Sequence, residues 1–212
     1  MNRHPFFRFL KEYRDEDLPG RKAQMKMSPE PLDPDVVLDR KPSDTAHPSG
    51  VLVPLYPDDE NRLHVILTLR TRSIRHAGQI SFPGGRKEGD EHLSETALRE
   101  TEEEIGIQRN RIEIARSITP LYLHRTDNQI TPYVGFLDGE PELKPNPAEV
   151  DEAFTAPLQN FIEGSHYREE KWNLAESSFH VPFWAIHKVP LWGATAMMMS
   201  ELVELYKRFL RT

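Results

Sequence analysis

Apolar side chains along this chain recur with two periods, one helical and one extended, and the alternation between them predicts the elements. Phe6, Phe7, Phe9, Leu10 and Tyr13 mark a short amphipathic helix over Pro5 to Tyr13, with its aromatics read as packing surface. Leu93, Ala97, Leu98, Thr101 and Ile105 keep helical spacing from Leu93 to Ile105, and Gly106 suits the left-handed position that closes a helix. A closing helix over Ala194 to Leu210 carries Met199, Leu202, Val203, Tyr206, Phe209 and Leu210 on one face, and the run Met197 to Met199 is read as core filler. Strands are expected at Val51 to Leu55, Leu63 to Arg70, Gln79 to Phe82, Arg111 to Arg116, Pro120 to Leu123, Gln129 to Leu137 and His180 to His187. Leu63 to Arg70 is apolar almost throughout, as in a strand buried on both faces. Pro57 to Asn61 reads as a turn, and Glu149 to Leu158, acidic at its start and ending at a proline, as a loop or short helix.

Between Arg14 and Gly50 periodicity fades and prolines accumulate, which predicts an ordered but irregular lead-in. Within it Gln24 to Pro29 is read as surface packing rather than as a wrap around a site. The pattern therefore divides into residues 1–49, a helix and lead-in packed on the body, and residues 50–212, the body itself. Strands before and after a central helix, with a long final helix, suit an α/β fold in which a mixed sheet lies between helices.

Composition narrows the function classes. At 212 residues, with 37% hydrophobic and 29% charged side chains, the chain suits one ordinary globular core. The net charge of −7 argues against broad binding to nucleic acid or membrane surfaces and favours a small-molecule partner. Zero cysteines exclude disulfides, zinc thiolate sites and cysteine nucleophiles. Arg3, His4, Pro5 and Arg8 interrupt any apolar run near Met1, so a cytoplasmic location is expected, as a monomer or homodimer.

The chemistry concentrates at the predicted central helix. Glu100, Glu103 and Glu104 stand at i, i+3 and i+4, so their carboxylates share one helical face. As structure this is unfavourable: like charges at those spacings repel by about 0.2–0.5 kcal/mol per pair. Negative charge in a last turn also opposes the helix dipole, at about 0.3–1 kcal/mol each when exposed. A divalent cation would reverse both signs, whereas a solvated acidic face would simply bear them.

The surrounding spacing breaks that tie. Gly85, Glu91, Arg99-Glu100, Glu103-Glu104 and Gly106 fall as they do in the Nudix box, and the chain resembles the Nudix hydrolases on that motif. Chance agreement of these fixed positions is on the order of 10⁻⁸ per starting point at about 7% usage each. The resemblance implies an α/β/α sandwich with a mixed sheet and a metal-dependent cut of a phosphoanhydride. It makes Glu100, Glu103 and Glu104 ligands of Mg²⁺ or Mn²⁺, hard cations that carboxylate oxygens suit. It makes Arg99 and Glu91 the residues that orient loop and ligands, and leaves the water-activating base to Glu103 or to Glu149 in Asn146-Pro-Ala-Glu-Val150. Thr101 stands where a bulky aliphatic is usual, and a β-branched side chain there still faces a core.

Upstream, Leu67 to Gly85 resembles the added motif of the coenzyme A pyrophosphatase branch, as do Pro182-Phe-Trp184 and Trp192-Gly-Ala-Thr-Ala196. That resemblance implies substrate-binding roles for Arg70, Arg72, Arg75, His76, Gly84 and Gly85, with cations set for phosphates beyond the pyrophosphate. Hydrolysis of coenzyme A or an acyl derivative to 3′,5′-ADP and 4′-phosphopantetheine is the activity it implies. The alternatives are another nucleoside diphosphate derivative (ADP-ribose, a nucleotide sugar or a noncanonical nucleoside triphosphate) and a non-catalytic nucleotide sensor.

Overall fold

A computed structural model describes residues 4–33, 35, 42–71, 78–174 and 176–212. Its elements run α1 (Pro5–Glu12), α2 (Gly20–Gln24), β1 (Glu30–Pro31), β2 (His47–Pro57), β3 (Leu63–Arg70), β4 (Ile80–Ser81) and β5 (Gly84–Arg86). They continue with α3 (Leu93–Ile105), β6 (Glu113–Ser117), β7 (Leu121–Leu123), β8 (Asn128–Phe136), β9 (Val150–Pro157), β10 (Tyr167–Leu174), β11 (Ser177–Trp184) and α4 (Gly193–Phe209).

The long strand β2 is the axis of a mixed sheet. It runs antiparallel to β3 and β5 and parallel to β8, whose far side takes β6 and β7. Strand β3 carries β4 and β9. Successive side chains on a strand point to opposite faces, and β2 divides accordingly. Val51, Val53 and Leu55 join Leu67, Phe6 and Leu10 of α1, and Met199 and Leu202 of α4 in one core. Leu52 and Tyr56 join Ile66, Ala97 and Ile105 beneath α3 in the other. The sheet is thus packed between helices, and β3 is buried on both faces as its apolar run implied.

The aromatics of α1 pack as expected: Phe6 lies edge-on to Phe136 and Tyr206. A small antiparallel sheet of β1, β11 and β10 stands beside the main one and fastens the lead-in through the Glu30–His180 register. Two expectations need correction. The segment after Glu149 is strand β9, because β3 offers a free edge whose ladder outweighs the segment's weak strand composition. Strand β10 was not anticipated; its sequence YREEKWNL is mostly exposed and polar, so it carries little apolar alternation.

Candidate functional site

Helix α3 spans Leu93–Ile105, as its spacing predicts. The Glu95 carboxylate accepts the His92 N–H at 2.7 Å, satisfying a donor at the start. Gly106 closes the helix at φ 72°, with its N–H on the Glu102 carbonyl at 3.0 Å. Thr101 is fully buried and returns its hydroxyl to the Ala97 carbonyl at 2.6 Å, so the unusual residue keeps its place in the core.

Arg99 organises the acidic face. Its Nη1 donates to Glu100 at 2.9 Å and to Glu103 at 3.2 Å, while Nε and Nη2 take both oxygens of Glu91 at 3.2 and 3.0 Å. Nη2 also reaches the Arg86 carbonyl at 3.3 Å, tying β5 to the helix. Glu91 further accepts the Glu88 N–H and the Thr96 hydroxyl. These bonds, those from Arg99 foremost, hold the Glu91 carboxyl down to about 2. Glu91 and Arg99 therefore join the loop before α3 to the helix.

Glu104 is the anomaly. It is 2% exposed, and its Oε2 has no hydrogen-bond partner. Arg70 approaches Oε1 at 3.8 Å, at a point where a bulge between Leu69 and Arg70 shifts the β3–β9 register. Burial pushes the Glu104 carboxyl up to about 8; the Glu100 and Glu149 carboxylates add to the rise, against Arg70 and the Gly84 N–H. Burial likewise raises Glu100, against Arg99. Among the described residues no three acidic or histidine side chains converge closely enough to hold a metal as they stand. Arg99 draws Glu100 and Glu103 aside, and Glu103 is exposed.

Glu149 reaches this field through the end of the helix. Lys144 and Asn146 donate their N–H groups to the Ile105 and Glu104 carbonyls at 2.9 and 2.8 Å, and the Glu149 carbonyl receives the Thr71 N–H at 3.0 Å. Two glycines bring the strands close enough. A Cβ on Gly85 would stand 2.4 Å from Glu100 Oε1, and one on Gly50 would stand 2.1 Å from the Leu93 carbonyl. Gly84, at φ 152°, would press a side chain into Val51. Gly50 was missed by the sequence reading, since nothing local marks it as the seat of α3.

Arg70, Gly84, Gly85 and Arg86 also line a cleft of about 960 Å³. Met25, Ser28 and Pro29 form part of its wall, while Gln24, Met27 and Ser28 are buried, so the segment packs as expected and also borders the cleft. Trp192 to Thr195, Met197 and Met198 at the start of α4 form another part. Arg72, Arg75 and His76 lie outside the described residues.

Comparison with known proteins bears on this arrangement. The NUDIX domain family model matches residues 46–175. The chain is 36% identical over 124 residues to the peroxisomal coenzyme A diphosphatase NUDT7 of Mus musculus, covering 58% of this chain and 52% of that protein. It is 32% identical over 169 residues to the uncharacterized Nudix hydrolase NudL of Photorhabdus laumondii, covering 76% of this chain and 86% of the other. The crystal structure of RenU, a Nudix hydrolase from M. smegmatis, matches with a TM-score of 0.56 at 16% identity over 77% of this chain and 87% of that one, a likeness of fold. The chain spans about half the length of two curated relatives it matches, the mouse protein among them. No helix among the described residues is long and apolar enough to cross a membrane.

Proposed function

We propose that this chain, which belongs to the Nudix family, is a divalent-metal-dependent pyrophosphohydrolase acting on coenzyme A or an acyl-coenzyme A. The observation that carries the chemistry is the buried, unpartnered oxygen of Glu104 beside Glu100 and Glu149. A carboxylate buried among like charges is costly unless a cation completes it. Hard oxygen donors, a close glycine backbone and an orphaned acceptor all fit Mg²⁺ or Mn²⁺. Glu100, Glu103 and Glu104 would hold it, and when bound it supplies charge neutralisation for phosphate oxygens and lowers the pKa of attacking water.

The protein's own groups do the rest. Arg99 fixes Glu91 and Glu100 and ties β5 to α3, so the Gly84–Gly85 backbone and the acidic face keep one relative position. Glu149, whose charge reaches both Glu100 and Glu104, is assigned as acceptor of the proton from water attacking phosphorus, because Glu103 is drawn to Arg99. Water adds to one phosphorus, the bridging P–O bond breaks, and 3′,5′-ADP and the (acyl-)4′-phosphopantetheine leave. Coenzyme A as substrate is supported by the upstream Arg70-to-Gly85 motif and by the likeness to the mouse diphosphatase.

Purified protein incubated with Mg²⁺ or Mn²⁺ and a panel of pyrophosphates, with products identified by mass, tests the proposal. Coenzyme A species should give the highest kcat/KM. A tenfold advantage for ADP-ribose or a nucleoside triphosphate would overturn the substrate while leaving the chemistry in place.

A further inference from the structure

Strand β5 sends neighbouring residues to opposite faces of the sheet. A side chain on Gly85 would meet Glu100, so that face belongs to the acidic helix. Arg86, the next residue, turns the other way and lines the cleft, paired in register with Ser49 of β2. Its guanidinium thus leaves the face on which a cation would hold the scissile pyrophosphate. Arg125 in the β7–β8 turn lines the same cleft. Both arginines are exposed, and among the described residues neither meets a carboxylate. In a chain of net charge −7, unpaired arginines at a cleft favour an anion there.

A buried hydroxyl completes this wall. Ser49 is 2% exposed and donates to Asn128 Oδ1 at 2.7 Å. That bond fixes the amide, whose nitrogen keeps both donors for the cleft that Asn128 lines. The turn that carries Arg125 and Asn128 is itself held in a costly shape. Asp127 adopts φ 46°, in the left-handed region that residues other than glycine seldom enter. Its carboxylate accepts the Ser43 hydroxyl at 2.8 Å and the Tyr122 hydroxyl at 2.7 Å, and its carbonyl accepts the His47 N–H at 2.7 Å. Such strain persists where the surroundings over-determine it, and it gathers at ligand sites.

We propose that Asn128, Arg125 and Arg86 form a second phosphate subsite, which takes the ribose 3′-phosphate of coenzyme A, and that Ser49 positions Asn128 within it. The proposal rests on the coenzyme A reading above. Guanidinium groups hold phosphate oxygens through charge-assisted hydrogen bonds, and the fixed amide adds a directed donor. The subsite selects substrates that carry a phosphomonoester besides the pyrophosphate. It assigns that discrimination to the β7–β8 turn and β5 rather than to the arginine motif that follows β3.

The test compares kcat/KM for coenzyme A and for its analogue lacking the ribose 3′-phosphate, with Mg²⁺ present. Loss of a hydrogen bond to a charged group costs about tenfold or more, so the wild type should favour coenzyme A by at least that factor. Arg125→Gln and Asn128→Asp should each lower the preference by about tenfold, through KM for coenzyme A, with kcat on the analogue within about twofold of wild type. Ser49→Ala, which frees the amide, should lower it by about threefold, again through KM. Lys171→Gln removes an exposed cation outside the cleft and should leave the preference unchanged. Arg125 is exposed, so its variant folds and decides the matter even where Ser49→Ala does not. Equal kcat/KM for the two substrates in the wild type, or a preference untouched in both Arg125→Gln and Asn128→Asp, overturns the subsite. Cleavage of another pyrophosphate with no cleavage of either coenzyme A species overturns the underlying reading instead.

Discussion

Among the described residues two glutamates are buried, and they are finished differently. Glu201 in α4 is fully buried, and donors surround it: Gly20 N–H at 3.1 Å, Thr119 hydroxyl at 2.7 Å and the Gln24 amide at 3.0 Å. Its bonds join the lead-in, the segment before β7, and the last helix. Glu104 in α3 is 2% exposed and keeps one oxygen without a partner, with the Arg70 guanidinium standing off at 3.8 Å. Burying a carboxylate is tolerable only when its lone pairs are met. At Glu201 the chain meets them itself. At Glu104 it leaves one oxygen unmet, and that difference sets a structural tie apart from the carboxylate on which the proposed cation site rests.

The largest effect expected comes from exchanging each for its neutral isostere. Glu104→Gln should lower kcat/KM on the order of 10³-fold or more, since a cation's charge stabilisation is worth several kcal/mol and about 1.4 kcal/mol is tenfold. Glu201→Gln should stay within about tenfold of wild type in activity but lose about 1–3 kcal/mol of stability, because its amide presents a donor to donors. Kinetics and denaturant melts on both variants read the two outcomes. A stable, fully active Glu104→Gln would erase the contrast.

A second test uses pH in excess chelator. The Glu104 carboxyl stands at about 8 in the folded chain against 4.5 ordinarily. Below about pH 4.5 both folded and unfolded states hold the proton, and there is no penalty. As pH rises toward 8 the unfolded chain sheds its proton more readily, so folding loses stability through that window, by about 1.4 kcal/mol for each step of one in pH. Melts of wild type and Glu104→Gln should therefore diverge between pH 5 and pH 8, the variant becoming the more stable by a few kcal/mol. Saturating Mg²⁺ should close the gap by raising the wild type. Parallel pH profiles for the two proteins would mean Glu104 is satisfied by some other route.

Gly85 sharpens the comparison at a neighbouring carboxylate. A Cβ there meets Glu100 Oε1 at 2.4 Å, and that oxygen ends a flexible side chain, so the fold yields while the carboxylate moves. Gly85→Ala should cost about 10²-fold in kcat/KM, the usual penalty of a displacement near 1 Å, and under about 1 kcal/mol in stability. An equal loss in both would place Gly85 with the structural group.

The sequence carried more of the unfinished site than of the finished one. Helix α3 could be read to the residue because its apolar period and Gly106 are local signals. The acidic face could be read because its spacing opposes helix energetics. The Glu201 tie could not: Gly20, Gln24 and Thr119 lie far from it along the chain, and nothing in their neighbourhoods announces the bonds. Glu149 was placed among the candidates by resemblance, but what positions it, the Lys144 and Asn146 donors that close α3, is tertiary. Strand β9 was misread for a related reason, since its ladder is provided by β3 and not by its own composition.

Glu103 gives the smallest effect and the finest discrimination, since it is Glu104's chain neighbour. The helix turns Glu103 outward, with its side chain 53% exposed and 3.2 Å from Arg99. Replacing it by glutamine removes repulsion from Glu100, about 0.2–0.5 kcal/mol, and an unfavourable dipole contribution of about 0.3–1 kcal/mol. It also removes an exposed ion pair worth about 0.2–1 kcal/mol. These nearly cancel, so Glu103→Gln in chelator should melt within about 0.5 kcal/mol of wild type. Metal should then raise the wild-type melting temperature more than the variant's, by mass action on a weakened site. A metal-free loss above about 1 kcal/mol would class Glu103 with Glu201, as a residue the fold uses for itself. An unchanged metal response would remove it from the cation's ligands, leaving Glu100 and Glu104 to hold the ion.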